Sequence, residues 1–438
     1  MKISVIGCGY LGAVHAACMA TLGHEVVGID VDEAKIASLR EAQAPFFEPG
    51  LPELLAEAVA TGRLTFTTDI AAAVGARVHF VCVGTPQKAN EYAADVSYVD
   101  AAFTGLLPHV APGDVVAGKS TVPVGTAERL AALLHEHHTD AALVWNPEFL
   151  REGFAVKDTL HPDRLVYGLP EGEAGRAAAA LLDEVYATPL AEGTPRILTD
   201  HATAQLVKVA ANSFLATKIS FINAMAELCE RTGADVTHLA DAIGHDARIG
   251  RRFLNAGLGF GGGCLPKDIR AFMARAGELG ADQTLSFLRE VDAINMRRRV
   301  RMVDLARELF GGSIVGRRIT ILGASFKPDS DDVRDSPALN VAEQMNLQGA
   351  HVTVTDPEAI ESARAKAPSL KFVEDTLDAA RGAELVLLLT EWDDYVSLAP
   401  DVLGEVVHDR RILDGRNALN PEKWRSAGWT YRALGRPH

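Results

Sequence analysis

A glycine-rich turn near the start of the chain constrains its fold more than any other feature. Residues Lys2–Ile6 form a short β-branched run, and Gly7, Gly9 and Gly12 follow in the spacing GxGxxG before an alanine-rich stretch. In a strand–turn–helix unit, such glycines permit a tight turn, close approach of a pyrophosphate and close packing of the helix on the strand. The sequence therefore predicts a dinucleotide site of the Rossmann type.

A carboxylate in the expected place extends this pattern. A second strand-like run, HEVVGI, ends on Asp30, which lies 18 residues after Gly12. An acid at this position accepts hydrogen bonds from the adenosine ribose and repels a 2′-phosphate. We therefore expect NAD rather than NADP as the cofactor.

Polar residues follow the next strands of this domain. Three further strand-like runs cover residues 78–83, 115–119 and 143–145. Thr85, Thr121 and Glu148 come directly after them, where ligands bind in an open parallel sheet. A threonine at such a place is also a typical helix N-cap, so both interpretations stay open for Thr85 and Thr121. Glu148, bracketed by apolar residues, is a candidate base or water-orienting group.

The second half of the chain repeats the α/β pattern. At 438 residues, the chain is too long for one hydrophobic core. RITILG opens a second strand–glycine series without the full fingerprint, and the following loop offers Lys327 and Arg334 to a phosphate. We predict an α/β protein with two Rossmann-like doubly wound domains, joined by a long central helix and a helical middle domain. The expected bounds are 1–196 for NAD, 197–300 for the central dimerisation domain, and 301–438 for a nucleotide-sugar domain.

A stretch without proline or glycine, residues 201–232, predicts an unusually long helix. We expect it to link domains and to form part of a dimer interface. Lys208 and Asn212 share one face of it, and Lys208 either extends its ammonium to water or belongs to a site. In a second helical stretch, the run Arg297, Arg298 and Arg299 is expected to form a solvated face.

The segment from Gly244 to Asp268 is the candidate centre of the chemistry. It contains three arginines, five glycines between Gly257 and Gly263, and then Cys264. A free cysteine is often a small buried hydrophobe. Cys264 is instead followed by Pro266, Lys267 and Asp268, and nearby positive charge favours a reactive thiolate. The glycine run predicts a loop that lets a ligand approach the backbone.

Composition excludes several classes of function. The net charge of −15 disfavours nucleic acid as a partner. The five cysteines lack paired spacing, which argues against disulfides and against a metal site and favours a reducing cytoplasm. No apolar run is long enough for a membrane span.

Eight segments together resemble one known family. They are VIGCGYLG, VGTP, KSTVPVGT, NPEFLREG, HPDR, KVAANSFLATKISFIN, DARIGRRFLNAGLGFGGGCLPKD and FKPDSDDVRDSP. Over essentially its whole length the chain resembles the UDP-glucose/GDP-mannose dehydrogenase family, and its central segments look most like the UDP-glucose branch. The resemblance implies a four-electron, NAD-dependent oxidation of UDP-glucose to UDP-glucuronate. The alternatives are GDP-mannose or a UDP-N-acetylhexosamine as substrate, or an NAD-binding protein without activity, for which a thiol would have no use.

The resemblance also implies roles for residues. Cys264 would attack an aldehyde to give a thiohemiacetal and then a thioester. Lys208, with Asn212, would stabilise oxyanion charge, and Asp268 would handle protons through a water. Glu148 would assist thioester hydrolysis, and Thr121 would position water. Arg248 would serve a neighbouring subunit's site, which makes a homodimer part of the expectation.

The resemblance assigns two further sets of residues. Those expected to bind NAD are Gly7, Gly9, Leu11, Gly12, Asp30, Lys35, Thr85, Thr121, Glu152, Lys267 and Arg334. Those expected to bind the nucleotide sugar are Glu148, Phe149, Leu150, Arg151, Glu152, Lys208, Asn212, Arg248, Phe253, Leu254, Asn255, Ala256, Gly257, Gly261 and Lys327. The chain departs from the family at Gly263, where serine is usual, and at Leu265, where phenylalanine is common.

Overall fold

A computed structural model describes residues 1–138 and 140–437. The chain divides into two compact units, and each is described by itself. The first unit comprises residues 1–211 and 270–280, and the second comprises 212–269 and 281–438. Each unit contains one mostly or wholly parallel sheet with helices, so the predicted α/β class with two Rossmann-like sheets is confirmed.

The first unit is built on an eight-stranded sheet in the order β3-β2-β1-β4-β5-β6-β7-β8. All neighbouring strands are parallel except β6 and β7. Its elements are β1 (Lys2–Ile6), α1 (Tyr10–Thr21), β2 (Glu25–Ile29), α2 (Glu33–Arg40), α3 (Leu51–Ala60), β3 (Leu64–Thr67), β4 (Val78–Val81), α4 (Ser97–Leu106), β5 (Val115–Gly118), α5 (Thr126–His137), β6 (Ala142–Trp145), α6 (Ala155–Leu160), β7 (Leu165–Gly168), α7 (Gly172–Val185), α8 (Ala187–Ala191) and β8 (Arg196–Thr199). Short 3-10 turns cover Ile70–Ala73 and Leu107–His109.

The central strands of this sheet are buried on both faces. Val115 and Ala117 of β5 belong to one hydrophobic cluster, whereas Val116 between them belongs to another. Because successive strand residues point to opposite faces, each face has its own apolar layer of helices. This covering explains why the strands are continuous apolar runs rather than alternating ones.

The second unit contains a six-stranded, fully parallel sheet in the order β11-β10-β9-β12-β13-β14. Two helices, α9 and α11, contribute residues to both units. The elements from α9 onward are α9 (His201–Thr232), α10 (Val236–Gly244), α11 (Leu265–Glu278), α12 (Phe287–Leu309), β9 (Arg318–Leu322), α13 (Pro337–Leu347), β10 (His351–Thr355), α14 (Ile360–Lys366), β11 (Lys371–Phe372), α15 (Thr376–Ala380), β12 (Leu385–Leu388), α16 (Asp393–Val396), α17 (Pro400–Gly404), β13 (Arg411–Asp414), α18 (Pro421–Ser426) and β14 (Thr430–Ala433). A 3-10 turn covers Asp282–Leu285.

The predicted long helix is present with the expected bounds, as α9. It ends at Gly233, which has a φ of 76° and donates its N–H to the carbonyl of Cys229. A left-handed residue after the last helical one is a common helix stop, and glycine adopts it without strain. No helix within the described residues is both long and apolar enough to cross a membrane.

The expectation of a solvated arginine face on α12 is wrong for two of its three residues. The Arg297 side chain is half exposed, but those of Arg298 and Arg299 are buried. Arg298 pairs with Glu230 at 2.8 Å, and Arg299 pairs with Asp335 at 2.8 Å. Consecutive helix residues point in directions about 100° apart, so a run of three cannot share one face.

Candidate functional site

The glycine-rich turn between β1 and α1 has the geometry that a dinucleotide requires. A Cβ atom on Gly12 would lie 1.8 Å from the carbonyl oxygen of Gly7, so only glycine permits this close packing. Gly9 occupies the N-cap position of α1, and a Cβ there would meet no atom within 4 Å. The turn therefore leaves open space at a helix N-terminus, where backbone N–H groups favour a phosphate.

Asp30 lies at the end of β2 beside this turn. Its Oδ2 accepts hydrogen bonds from the Cys8 N–H at 2.7 Å and from the Lys35 ammonium at 2.9 Å. Its Oδ1 accepts the Asp32 N–H at 3.1 Å, which leaves acceptor capacity on a carboxylate oxygen. The residues present thus fit the adenosine ribose of NAD.

Thr85 and Thr121 are not helix N-caps. The helices that follow them are capped by other residues, Val96 for α4 and Gly125 for α5. The Thr85 hydroxyl instead donates to the carbonyl of Thr121 at 2.7 Å. This bond connects the two loops that follow β4 and β5, and the site roles of both threonines stay predictions.

Lys208 forms an ion pair inside the first unit rather than extending to water. Its ammonium lies 2.8 Å from Oε1 of Glu148, and the two side chains are 7% and 14% exposed. Glu148 Oε2 accepts the Leu150 N–H at 2.8 Å. The structure therefore joins two residues, 60 positions apart in the sequence, that sequence reasoning had singled out separately.

The loop from Glu148 to Ala155 is held by hydrogen bonds to Glu48, a residue that was not predicted from the sequence. Glu48 is buried and accepts the N–H groups of Gly153 and Ala155, each at 2.7 Å. The Tyr10 hydroxyl also donates to Glu48. Burial and this neighbouring carboxylate hold the pKa of the Tyr10 hydroxyl above its ordinary value. The signal available in the sequence was a lone acid within the apolar segment FFEPG.

Other predicted substrate residues of this loop contact residues that follow it in the chain. Arg151 makes two side-chain hydrogen bonds to Asp158, at 2.8 and 2.6 Å, and its guanidinium lies over the Phe154 ring. The Phe149 ring contacts the guanidinium of Arg164, with 3.8 Å from Cζ to the ring centroid. Two arginine side chains thus lie on the faces of aromatic rings that belong to this loop.

In the second unit, Cys264 differs from the other cysteines. It is exposed, whereas Cys8, Cys18, Cys82 and Cys229 are buried. Burial raises the pKa of the Cys18 and Cys82 thiols to about 12, so these remain protonated. Cys264 immediately precedes α11, and its carbonyl accepts the Asp268 N–H at 2.9 Å. A thiol at a helix N-terminus lies where negative charge is favoured.

Three of the predicted residues meet at Asp268. Its side chain is buried; Oδ1 accepts from the Lys267 ammonium at 2.6 Å, and Oδ2 accepts from the Asn212 amide at 2.7 Å. A carboxylate with two directed donors is held in one orientation. The structure therefore places a carboxylate of fixed orientation one helical turn after Cys264, with an amide and an ammonium bonded to it.

The glycine run before Cys264 is closely packed against other residues of the second unit. Asn295 of α12 accepts the Phe260 N–H at 2.7 Å and donates to the Phe260 carbonyl at 2.9 Å. Asn223 accepts the Gly257 N–H at 2.9 Å. A Cβ on Gly257 would lie 2.5 Å from the Gly415 carbonyl oxygen. The glycines of this run are therefore needed because other protein atoms pack closely against them. The sequence had predicted only that they let a ligand approach the backbone.

Gly263 and Arg334 are spatially coupled. A Cβ at Gly263 would lie 2.3 Å from Cζ of Arg334, so the guanidinium occupies the place that a side chain would need. That guanidinium is held by both carboxylate oxygens of Asp332, with bonds of 2.9 and 2.6 Å. The departure from the family at Gly263 thus has a local consequence at a residue predicted to bind NAD.

The remaining predicted substrate residues of the second unit differ in exposure. Arg248 is 89% exposed and pairs with its neighbour Asp246. Asn255 is exposed, whereas Leu254 and Ala256 are buried. Lys327 lies over the Phe326 ring, with 5.4 Å from its ammonium to the centroid.

Arg416 is a residue of this region that sequence reasoning missed. It donates to the Gly259 carbonyl at 3.1 Å and to the Phe326 carbonyl at 3.0 Å. It therefore links the glycine run to the loop that carries Lys327. A single arginine after a strand gave no local sequence signal for this role.

Asp356 is the counterpart of Asp30 in the second sheet, but more of its hydrogen-bonding capacity is used by the protein itself. Asp356 follows β10 as Asp30 follows β2, but Asp356 is buried. Its Oδ2 accepts the N–H groups of Ala324 and Ser325, at 2.7 and 3.0 Å, and the Trp392 ring N–H at 3.2 Å. This acid closes its own turn, in keeping with the incomplete glycine fingerprint there.

Comparison with known proteins agrees with this geometry over most of the chain. Three family models match: the UDP-glucose/GDP-mannose dehydrogenase family NAD binding domain over residues 1–189, its central domain over 202–297, and its UDP binding domain over 320–421. The chain belongs to the UDP-glucose/GDP-mannose dehydrogenase family. It is an NAD-dependent nucleotide-sugar 6-dehydrogenase, and NAD is its cofactor.

Individual relatives cover the chain from end to end. It is 42% identical over 440 residues to the UDP-glucose 6-dehydrogenase of Rhizobium meliloti (strain 1021), with 100% of both chains covered. It is 40% identical to UDP-glucose 6-dehydrogenase TuaD of Bacillus subtilis (strain 168), covering 100% of this chain and 93% of that one.

Two solved structures have the same fold. A UDP-glucose dehydrogenase from Pyrobaculum islandicum has a TM-score of 0.89 and 37% identity, covering 99% of this chain and 98% of that one. A UDP-D-ManNAc dehydrogenase from Pyrococcus horikoshii has a TM-score of 0.86 and 27% identity, covering 100% and 99%. The family resemblance inferred from the sequence motifs is confirmed.

Proposed function

We propose that this enzyme oxidises UDP-glucose to UDP-glucuronate through a thioester on Cys264. The observation that carries the proposal is the exposed thiol at the start of α11, followed by the buried Asp268 with its Asn212 and Lys267 partners. The full-length similarity to UDP-glucose 6-dehydrogenases supports the same substrate.

The reaction is proposed in two oxidations. In the first, the primary alcohol loses a proton and a hydride to become an aldehyde. The Cys264 thiolate then adds to the aldehyde carbon and gives a thiohemiacetal. Loss of a second hydride leaves a thioester, and water cleaves the carbon–sulfur bond to release the carboxylate and the thiol. NAD, when bound, accepts the hydrides, so two are reduced for each uronate.

The charged groups fit the changes of charge in this sequence. Lys208 would stabilise the oxyanion, and in this structure its charge is balanced by Glu148 at 2.8 Å. Glu148 would also orient the water that attacks the thioester, and Thr121 would position water. Asp268, held by two donors, would accept and return protons through a water.

The full-length relatives support UDP over GDP, since those with the highest identity are UDP-glucose 6-dehydrogenases. The family model that matches residues 320–421, a UDP binding domain of the UDP-glucose/GDP-mannose dehydrogenase family, supports a nucleotide sugar as substrate. The UDP-D-ManNAc dehydrogenase among the structural relatives makes a UDP-N-acetylhexosamine the second candidate substrate. We also propose that the enzyme works in the cytoplasm and that its uronate supplies polysaccharide synthesis.

We further propose that the enzyme is a homodimer through α9. Phe214, Phe221 and Leu228 recur every seven residues on this helix and are 66%, 48% and 57% exposed. Residues seven apart lie two turns along the same face, so these side chains form an apolar stripe. Replacing Phe221 by Glu should convert a dimer, measured by light scattering after gel filtration, into a monomer. A wild-type monomer would contradict this part of the proposal.

The substrate is tested by initial rates of NADH formation with UDP-glucose, UDP-N-acetylmannosamine and GDP-mannose. We expect the highest kcat/KM with UDP-glucose and two NADH for each UDP-glucuronate. A higher value with either other sugar would replace the substrate. One NADH per product would end the reaction at the aldehyde and exclude the thioester.

A further inference from the structure

A buried lysine lies beneath the candidate site in the first unit. Lys119 follows β5 and is 7% exposed. Its ammonium bonds the Asn146 side-chain oxygen at 3.0 Å, the Asn146 carbonyl at 3.4 Å and the Tyr186 hydroxyl at 3.2 Å. It also lies 5.5 Å from the centroid of the Phe80 ring. Among the ion pairs of the described residues, none contains Lys119.

Lys119 is surrounded by groups that are mostly neutral. Its pKa is lowered to about 8, mainly by burial and to a smaller extent by the nearby Lys208, whereas Cys82 and Glu148 act against the shift. Burial also holds the pKa of His15 on α1 well below its ordinary value, so His15 is neutral. Tyr186 stays protonated, because burial raises the pKa of its hydroxyl.

An ammonium in such surroundings is unfavourable for folding. Removing a charge from water costs free energy unless an opposite charge and hydrogen bonds compensate, and here only neutral oxygens bond it. Packing alone would be served better by an apolar side chain of similar length. The cost of burying the charge therefore suggests that Lys119 has a function besides packing.

Lys119 holds the start of the turn that carries Glu148. Asn146 is fixed from three sides: its N–H donates to the Gly118 carbonyl at 2.8 Å, its amide donates to the Val166 carbonyl at 3.0 Å, and Lys119 bonds both its oxygens. Two residues later, Glu148 meets the Lys208 ammonium. A shift of Asn146 would move Glu148 relative to Lys208.

We propose that Lys119 is a positioning residue for the reaction, which holds the turn 146–148 so that Glu148 faces Lys208. This inference rests on the proposed function in one respect: the proposed function gives the Glu148–Lys208 pair its chemical role. Lys119 itself contacts neither substrate nor cofactor in this account. It acts through Asn146.

The test compares Lys119→Met with Ser120→Ala in the full-length enzyme. Methionine keeps the length of the side chain and removes both the charge and its hydrogen bonds. Ser120 is the matched control, since its buried hydroxyl donates to the Val83 carbonyl at 2.6 Å and does not touch the turn. For Lys119→Met we expect kcat to fall by roughly 10- to 100-fold, because small displacements of reacting groups cause losses of this size. KM for UDP-glucose and for NAD should stay within about two-fold, because neither ligand is contacted.

Stability separates positioning from a structural role. Lys119→Met should keep or raise the thermal midpoint, since an unfavourable buried charge is removed, whereas Ser120→Ala should lower it and retain kcat. The fall in kcat should appear mainly in uronate release, with the first hydride transfer retained in a rapid-quench experiment. Equal kcat for Lys119→Met and wild type, or equal losses of stability and kcat in both variants, would overturn the inference.

Tyr186→Phe tests the same inference if Lys119→Met does not fold. Tyr186→Phe removes one bond to Lys119 and one to Asn146, at 2.8 Å, without changing a charge. We expect a smaller fall in kcat of the same kind, and an unchanged kcat would count against positioning through Asn146. Wild-type activity is measured in parallel. An inactive wild type would overturn the proposed function, whereas an active wild type with fully active variants would overturn only this inference.

Discussion

Replacing Asn295 is the sharpest test of whether residues of the second unit hold the glycine run before Cys264 in place. It is fully buried on α12 and bonds both the N–H and the carbonyl of Phe260. Asn295→Ala would leave the Phe260 N–H without that acceptor, at a cost of about 1–3 kcal/mol. The lost bond to the carbonyl adds roughly 0.5–1.5 kcal/mol, although Arg299 still donates to this oxygen at 3.2 Å. We therefore expect a loss of about 1.5–4.5 kcal/mol in the free energy of unfolding.

Urea unfolding followed by tryptophan fluorescence measures this loss. Three of the four tryptophans, Trp392, Trp424 and Trp429, belong to the second unit and report on it. Hydrogen exchange should show faster exchange of the Phe260 amide, and kcat should fall with the loosened loop. Asn346→Ala, on α13 of the same unit, is the control and should change stability by less than about 0.5 kcal/mol. A similarly small effect of Asn295→Ala would show that the loop does not depend on this anchor.

Three further predictions follow from the sites. Gly263→Ser should displace the guanidinium of Arg334 and raise KM for NAD with little loss of stability. Gly277→Ser, on the open surface of α11, is the control and should leave KM unchanged; an unchanged KM in Gly263→Ser would separate Arg334 from NAD. Asp30→Asn should weaken NAD binding, measured by calorimetry, by roughly 1.5–3 kcal/mol, and unaltered affinity would contradict the ribose assignment. Between pH 8 and 10.5, unfolded Lys119 binds more protons than the folded form, so its own contribution to the free energy of unfolding should rise with pH by about 3 kcal/mol. Because the raised pKa values of Cys18 and Cys82 act in the opposite direction, the measurement is the difference in the free energy of unfolding between wild type and Lys119→Met; this difference should grow with pH, and a constant difference would contradict the assignment.

The parts of the fold that could be predicted from sequence are those with local causes. The turn at Gly7 and Gly12 was recognisable because the glycine spacing, the strand and the helix are adjacent in the chain. The length of α9 followed from the absence of helix breakers between His201 and Thr232. Cys264 stood out because its neighbours in the sequence are ionisable.

Features that depend on distant partners were not predictable. Arg298 is buried because Glu230, 68 residues away, balances its charge, and no local pattern contains that information. Lys208 had two open interpretations until Glu148 was found beside it. Asn223 and Asn295 are single amides within helices, and their role exists only through the loop that they bond.

The central claim is the thioester on Cys264, and trapping it is the most direct test. In Glu148→Gln, release of the thioester should slow, so that acid quenching of enzyme with UDP-glucose and NAD preserves the adduct. Peptide mass spectrometry should then find a UDP-glucuronyl group on the peptide that contains Cys264, and none on Cys264→Ala. Formation of UDP-glucuronate with two NADH by the Cys264→Ala variant, or an adduct at another residue, would contradict the account.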